Sequence, residues 1–230
     1  MTKAVVVLSG GMDSTTLLYE VLNYKKSDTF GEKLYSEVYA ISFYYGQRHQ
    51  LELLMAAATC SNLKVPHKVC NLEALNALAP SALTRKDRTM PTGHYAAENM
   101  KETVVPNRNM VLLSLAAAYA IGLQVQDLYY GAHSGDHAIY PDCRQDFIDS
   151  ARATILLADW HQVHLKAPYW DKDKGDIAMR GKALKVDYAL TWTCYDPQPE
   201  DYACGVCGAC VERKEAFVKA DLEDPIKYKV

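Results

Sequence analysis

No apolar run in this sequence is long enough to cross a bilayer. The nearest, Met110 to Val125, is broken by Ser114, Gly122 and Gln124. The opening Met-Thr-Lys-Ala leads straight into a strand-like run rather than a secretion signal, so a cytoplasmic location is expected. An excess of either charge is missing too: 25 Lys and Arg stand against 28 Asp and Glu, a net charge of -3. That balance argues against a broad nucleic-acid footprint, although it leaves room for a local basic patch. There is no internal repeat and no low-complexity tract. These absences point away from membrane-spanning and broad nucleic-acid-binding roles.

What is present is the composition of an ordinary globular protein, 49% hydrophobic and 23% charged over 230 residues. That length suits one α/β domain with a small appendage. Strand-like runs at Lys3–Leu8, Val38–Phe43, His67–Cys70, Asp127–Ala132 and Gln162–Leu165 alternate with helical patterns. The helices are expected over Asp13–Lys25, Gln47–Asn62, Asn109–Gln124, Cys143–Ala158, Gly175–Lys185 and Glu212–Ala220, the second with a Leu51, Leu54, Met55, Ala58 stripe. Such alternation predicts a mostly parallel sheet with helices on both faces. Ala79 to Pro106 breaks the pattern and reads equally as a lid or a disordered excursion.

Between the first strand and helix stands Leu8-Ser9-Gly10-Gly11-Met12-Asp13-Ser14-Thr15. Glycines, hydroxyls and a helix N-terminus make an anion site. The lysine of a G-x-x-x-x-G-K-[ST] loop is missing, and Asp13 would repel a phosphate unless Mg²⁺ lies between them. A metal–pyrophosphate complex is therefore the expected guest. A helix capped by Asp13 or Ser14, with no ligand, is the plainer alternative.

Four of the seven cysteines crowd one short stretch: Cys194, then Cys204, Cys207 and Cys210. Four thiolates suit tetrahedral Zn²⁺, and a closed shell of sulfur implies a structural role. An iron–sulfur cluster or a redox pair are the alternatives. Gly205 and Gly208 would ease the backbone around the metal.

"SGGMDST" resembles the pyrophosphate loop of the ATP pyrophosphatase superfamily, whose members cleave ATP between the α- and β-phosphates and adenylate an oxygen. Together with "FYYGQRH", "VPNRN", "YPDCR", "GKALKVDYALTWTCY" and the cysteine-rich tail, in order along nearly the whole chain, it is similar to the 7-cyano-7-deazaguanine synthase family. The resemblance implies a Rossmann-like parallel sheet of the adenine nucleotide alpha hydrolase-like kind, with a small C-terminal four-cysteine zinc motif. It divides the chain into a nucleotide-binding catalytic domain at 1–190 and the zinc motif with its packed helix at 191–230. The implied reaction joins 7-carboxy-7-deazaguanine and ammonia, through an adenylated acid and then an adenylated amide, to give the 7-nitrile, AMP and pyrophosphate on the route to queuosine and related deazapurines. ATP is then a co-substrate, Mg²⁺ and one structural Zn²⁺ per chain are the metals, and a homodimer is expected.

The same resemblance assigns roles. Leu8 to Thr15, Gln47, Arg48 and Lys182 would bind ATP and Mg²⁺, and Asp13, Ser14, Arg48 and Arg108 would act in catalysis. Tyr140, Asp142 and Arg144 would bind the deazapurine, although Asp142 could instead cap the helix starting at Cys143. Cys143 reads as a buried thiol. His133, His137, His161 and His164 resemble metal ligands by residue type alone.

Two departures open an alternative. Tyr44 stands where the family often has Asp, and His137-Ala138-Ile139 follows Asp136 where Phe-Ser-Gly is usual. A related enzyme that stops at the amide, or joins a deazaguanine to another amine, fits those changes. A tRNA thiolase or lysidine synthetase would call for an added basic domain. A nucleic-acid zinc module would call for basic residues beside the cysteines, where Asp196, Glu200, Asp201 and Glu212 stand instead.

Overall fold

The computed structural model describes residues 2–25, 32–85, 87–93 and 98–229. Five parallel strands form its sheet: β1 (Thr2–Val7), β2 (Tyr35–Tyr44), β3 (His67–Asn71), β4 (Asp127–Tyr129) and β5 (His164–Lys166). Their spatial order is β3-β2-β1-β4-β5. Seven helices join them: α1 (Met12–Asn23), α2 (Leu51–Leu63), α3 (Ala74–Leu78), α4 (Arg108–Gly122), α5 (Gln145–Leu156), α6 (Lys174–Leu184) and α7 (Gly208–Lys219).

The two-residue period of a strand splits β1 between two cores. Val5 packs with Leu113, Ala116, Leu128 and Ile148, under α4 and α5. Ala4 and Val6 pack on the other side with Leu17, Leu18, Ala56, Tyr129 and Ile177, under α1, α2 and α6. Both faces of the sheet are therefore covered, as its nearly unbroken apolar strands require. Beyond α6, Ala178, Tyr188, Ala216 and Phe217 form a third cluster with Met12 that seats α7.

Several boundaries moved for physical reasons. α2 begins at Leu51 rather than Gln47, because Gly46 (φ +83°) turns the chain and the Gln47 side chain folds back onto the Tyr45 N–H and the Phe43 carbonyl. Its buried residues are Ala56, Thr59 and Cys60, while Leu54 is exposed, so the expected apolar stripe is rotated. α5 begins at Gln145, after a short 3₁₀ turn at Pro141–Cys143, and α7 begins four residues earlier than expected, at Gly208. Gly205 has the positive φ, +76°, that the cysteine loop needs, whereas Gly208 is helical.

The segment after α3 is packed over much of its described length. Ala79, Ala82, Leu83, Met90, Met100 and Val105 are buried, and the Gly93 N–H donates to the Val206 carbonyl. Residues 86 and 94–97 of the segment read as a lid or a disordered excursion lie outside the described part. At the C-terminus, residues 224–229 strap the cysteine loop. The Ala203 N–H donates to Lys227, the Lys229 N–H donates back to Ala203, and the buried Arg213 holds Asp224.

Candidate active site

The strand order reverses between β1 and β4, and at such a point the loops leaving the two strands diverge and open a crevice beyond their carboxyl ends. One cavity lies there, lined by the β1–α1 loop, the residues after β2 and β4, and the start of α4.

The β1–α1 loop is wound tightly. Gly10 has φ +93°, and a Cβ there would lie 1.9 Å from the Glu52 carbonyl, so only glycine fits. The Ser9 N–H and the Ser14 hydroxyl are 3.1 Å apart, and the Gly11 N–H donates to Ser9 Oγ at 3.1 Å. Thr15 is fully buried, and its hydroxyl has no partner among the described residues. Met12 points into the α6–α7 cluster and serves packing.

The missing loop cation comes from α6. Lys174 is buried, with Nζ 2.7 Å from Glu212 and 3.4 Å from Asp13. Burial would push its pKa down, but Asp13, Glu212 and Asp136 outweigh that cost and raise it above its ordinary value. His133 Nε2 lies 3.6 Å from both Asp13 and Asp136. Asp13 Oδ1 is buried with no partner among the described residues. An orphaned carboxylate oxygen at the mouth of an anion loop fits a hard cation such as Mg²⁺.

Arg108, Asn109, Phe43, Tyr45, Leu83, Leu112, Tyr130 and Cys143 also line the cavity. Burial opposes the Arg108 charge, but Tyr45, Asp142, Cys143 and Tyr140 around it hold its pKa well above the ordinary value. A half-buried guanidinium beside aromatic rings can take a flat, carboxylate-bearing molecule.

Of the residues expected from sequence, Leu8, Ser9, Gly11, Asp13, Ser14, Gln47 and Arg108 line the cavity. Gly10, Met12 and Thr15 support the loop from behind. Cys143 and His133 line it too, whereas Arg48, Lys182, Tyr140, Asp142 and Arg144 do not. Arg48 pairs with Asp196 at 3.0 Å and donates to the Arg88 carbonyl, tying the segment after α3 to the cysteine segment. Lys182 sits eight residues beyond Lys174, and its ammonium is bonded to the Ala220 and Asp221 carbonyls at the end of α7.

Tyr140 bonds Thr103 at 2.6 Å and lies 5.9 Å from Arg108. Asp142 does not cap α5. Its carboxylate accepts the Asn109 N–H at 3.1 Å and so caps α4, setting Arg108 beside it. Arg144 donates to the His137 carbonyl. His161 bonds the Val125 carbonyl. Sequence reasoning gave no role to Lys174, His49, Glu52, Asn109, Tyr45 or Tyr130. Only the cation missing from the loop hinted at Lys174.

The Cys194, Cys204, Cys207 and Cys210 sulfurs lie within 4.8 Å of one another, with Cys204 and Cys210 4.0 Å apart. Four sulfurs around one Zn²⁺ at about 2.3 Å stand about 3.8 Å apart, so a single tetrahedral ion fits. A cubane would hold them further apart. The cysteine segment also touches the loop, since the Trp192 N–H donates to the Gly10 carbonyl at 2.9 Å.

The sequence matches the family described as queuosine biosynthesis protein QueC over residues 3–221. It is 54% identical to the 7-cyano-7-deazaguanine synthase of Methanoregula boonei over 226 residues, covering 98% of this chain and 99% of that one. It is also 54% identical over 228 residues to the enzyme of the same name from Caldicellulosiruptor saccharolyticus, covering 99% and 96%. Among solved structures, the U34-tRNA thiolase NcsA from Methanococcus maripaludis with its [4Fe-4S] cluster superposes with a TM-score of 0.52 at 14% identity, covering 96% of this chain and 65% of that one, a likeness of fold alone. No helix among the described residues is long and apolar enough to cross a membrane. With the pyrophosphate-loop fold, the four-cysteine cluster and full-length relatives in agreement, the chain belongs to the queuosine biosynthesis protein QueC family.

Proposed function

We propose that this chain converts 7-carboxy-7-deazaguanine and ammonia to 7-cyano-7-deazaguanine, consuming ATP in two rounds of adenylation. The observation that carries the reading is one cavity holding both an anion loop and a half-buried arginine beside aromatic rings. A carboxylate is a poor electrophile because oxide is a poor leaving group, and adenylation converts that oxygen into part of AMP. Ammonia then displaces AMP to give the amide. Adenylation of the amide oxygen, followed by loss of AMP, gives the nitrile.

The same ATP bond breaks in both rounds, so one loop serves twice. Ser9, Gly11 and Ser14 offer donors to the departing pyrophosphate, and Lys174 supplies the positive charge that the loop itself lacks. Mg²⁺, held by Asp13, would neutralise further charge on the pyrophosphate. Tyr45 and Tyr130 bound the slot for the deazapurine, and Arg108 orients its carboxylate. Zn²⁺ held by the four cysteines fixes the segment from Thr191 to Cys210 against the loop. The family departures at Tyr44 and at His137–Ile139 lie outside the cavity lining, which favours the complete reaction over one that stops at the amide.

The test is mass spectrometry of product and nucleotide with 7-carboxy-7-deazaguanine, ammonium and MgATP. Nitrile with AMP and pyrophosphate supports the reading. Accumulated amide supports the shorter reaction, and ADP with orthophosphate overturns both.

A further inference from the structure

The proposed chemistry sheds protons from nitrogen, and no residue considered so far takes them. Attack of ammonia on the acyl adenylate forms a C–N bond and breaks the C–O bond to AMP. The resulting ammonium-like nitrogen must then lose a proton to become the amide. In the second round the amide nitrogen loses one proton as its oxygen takes the adenylyl group. It loses another as the C–O bond to AMP breaks and the nitrile forms.

Two imidazoles among the described residues line the cavity, His49 and His133. His133 is held between Asp13 and Asp136, beside Lys174. Its Nδ1, like that of His49, has no partner among the described residues, but the ring stands in the Asp13, Asp136 and Lys174 charge cluster at the loop. His49 is placed differently. It is 2% exposed, its Nε2 lies 3.1 Å from Glu52 Oε2, and its ring stands 5.2 Å from that of Tyr195. With Nε2–H donating to a carboxylate, Nδ1 keeps its lone pair. Nδ1 is buried and has no hydrogen-bond partner among the described residues.

The position of Glu52 locates the pair. A Cβ on Gly11 would lie 3.7 Å from Glu52 Oε1, so the carboxylate adjoins the pyrophosphate loop. Tyr45, His49, Glu52 and Arg108 line the same cavity. The His49–Glu52 pair thus adjoins the phosphate loop within the cavity that also holds the arginine assigned to the substrate.

We propose that His49, oriented by Glu52, is the general base that takes the protons leaving nitrogen. Glu52 fixes the tautomer and stabilises the imidazolium that forms, the division of labour of a base and its orienting carboxylate. This inference rests on the reaction proposed above.

The two halves of that reaction separate the roles. Adenylation of the carboxylate needs no base, because that oxygen is already ionised. With 7-carboxy-7-deazaguanine and MgATP but no ammonia, His49→Gln should keep exchange of labelled pyrophosphate into ATP within a small factor of the unaltered protein. With ammonium added, its formation of amide and nitrile should fall by roughly a hundred-fold or more, the usual weight of a positioned base. Glu52→Gln, which keeps the shape and loses the charge, should show the same split with a smaller loss. It also serves as the deciding variant if His49→Gln does not fold. Equal loss in both halves would mark a merely structural pair, and unchanged nitrile formation would remove His49 from the chemistry, so either result overturns the proposal. Absence of exchange in the unaltered protein would instead bring down the adenylation reading itself, and the proton role with it.

Discussion

Trp192 donates its backbone N–H to the carbonyl of Gly10 at 2.9 Å, and its indole N–H to the carbonyl of Cys194 at 3.1 Å. One buried residue thus joins the four-cysteine cluster to the turn of the pyrophosphate loop. A structural metal site contributes folding free energy to the segment that carries it, so its loss should be felt at the loop. Chelation, or Cys194→Ser, is expected to lower the melting temperature and to raise the KM for ATP more than that for the deazapurine. Zinc analysis alongside calorimetry and steady-state kinetics checks this. An unchanged KM for ATP in folded, zinc-free protein would show that the contact transmits nothing.

Lys174→Met keeps the length of the side chain and removes its charge. Asp13, Asp136 and Glu212 would then face one another without their buried counter-ion. Losing one donor to developing charge in an enclosed site costs about a hundred- to a thousand-fold in turnover. The expected result is a kcat reduced by that order while the KM for the deazapurine stays near its original value. Lys182→Met, on the same helix but bonded to the α7 carbonyls, should cost stability and leave kcat nearly intact.

These two lysines show what could be read from the chain and what could not. The β1 run, the glycine turn and the start of α1 are local features, and local sequence states them almost to the residue. The cysteine spacing likewise carries its own geometry. Which lysine of α6 faces the loop depends on how that helix docks against α1, and a helix that offers several solvated lysines does not announce it. His49 was hidden for another reason. A helix begun at Gln47 would leave it as one more exposed turn, whereas Gly46 and the back-bonded Gln47 bend the chain so that His49 is buried beside Glu52. The segment 79–106 carries no periodic pattern, because its described apolar residues, Leu83, Met90 and Met100 among them, pack into the core beside the cysteines rather than along one face of a helix or strand.

Thiol chemistry gives an independent count. Of the seven cysteines, four form the cluster and two, Cys60 and Cys143, are buried, which leaves Cys70 half-buried on the edge strand. Burial pushes the Cys60 thiol up to about 12. Burial, with Asp136 and Asp142 nearby, also raises that of Cys143. Both therefore stay protonated and unreactive at pH 8. Titration of the zinc-loaded protein with a thiol reagent should read one group, and chelation should release four more.

Alkaline pH should weaken the docking of α6 and α7. Burial pushes the Tyr188 phenol up to about 12, and its hydroxyl lies 2.9 Å from that of Thr16. An unfolded tyrosine titrates near 10, so the native state holds this proton more tightly. Stability from that group is complete below about pH 10 and is lost as pH rises towards 12, on the order of 3 kcal/mol. Urea unfolding at stepped pH should show the decline. Tyr188→Phe should make it shallower, at a small cost near neutrality because Thr16 keeps its bond to the Met12 carbonyl.

The strongest effect on stability is expected at Arg213. Its side chain is fully buried and bonds Asp224 through Nε and Nη2, Thr191 and Thr193 through Nη1, and the Tyr188 carbonyl. Asp224 in turn receives the Tyr228 hydroxyl at 2.6 Å, so the ion pair fastens the C-terminal strap over the cysteine loop. Arg213→Met leaves a largely buried carboxylate without its cation, a loss of roughly 3–5 kcal/mol for pairs of this kind. Zinc should also escape faster to a chelator, because the strap and the Thr191–Thr193 segment both lose their anchor. The double variant Arg213→Met, Asp224→Leu removes both charges and should recover much of the lost stability. It should not recover slow zinc release, since the bonds to Thr191 and Thr193 stay broken. Recovery of both properties together would mean that the charge pair, and not the hydroxyl contacts, holds the metal segment in place.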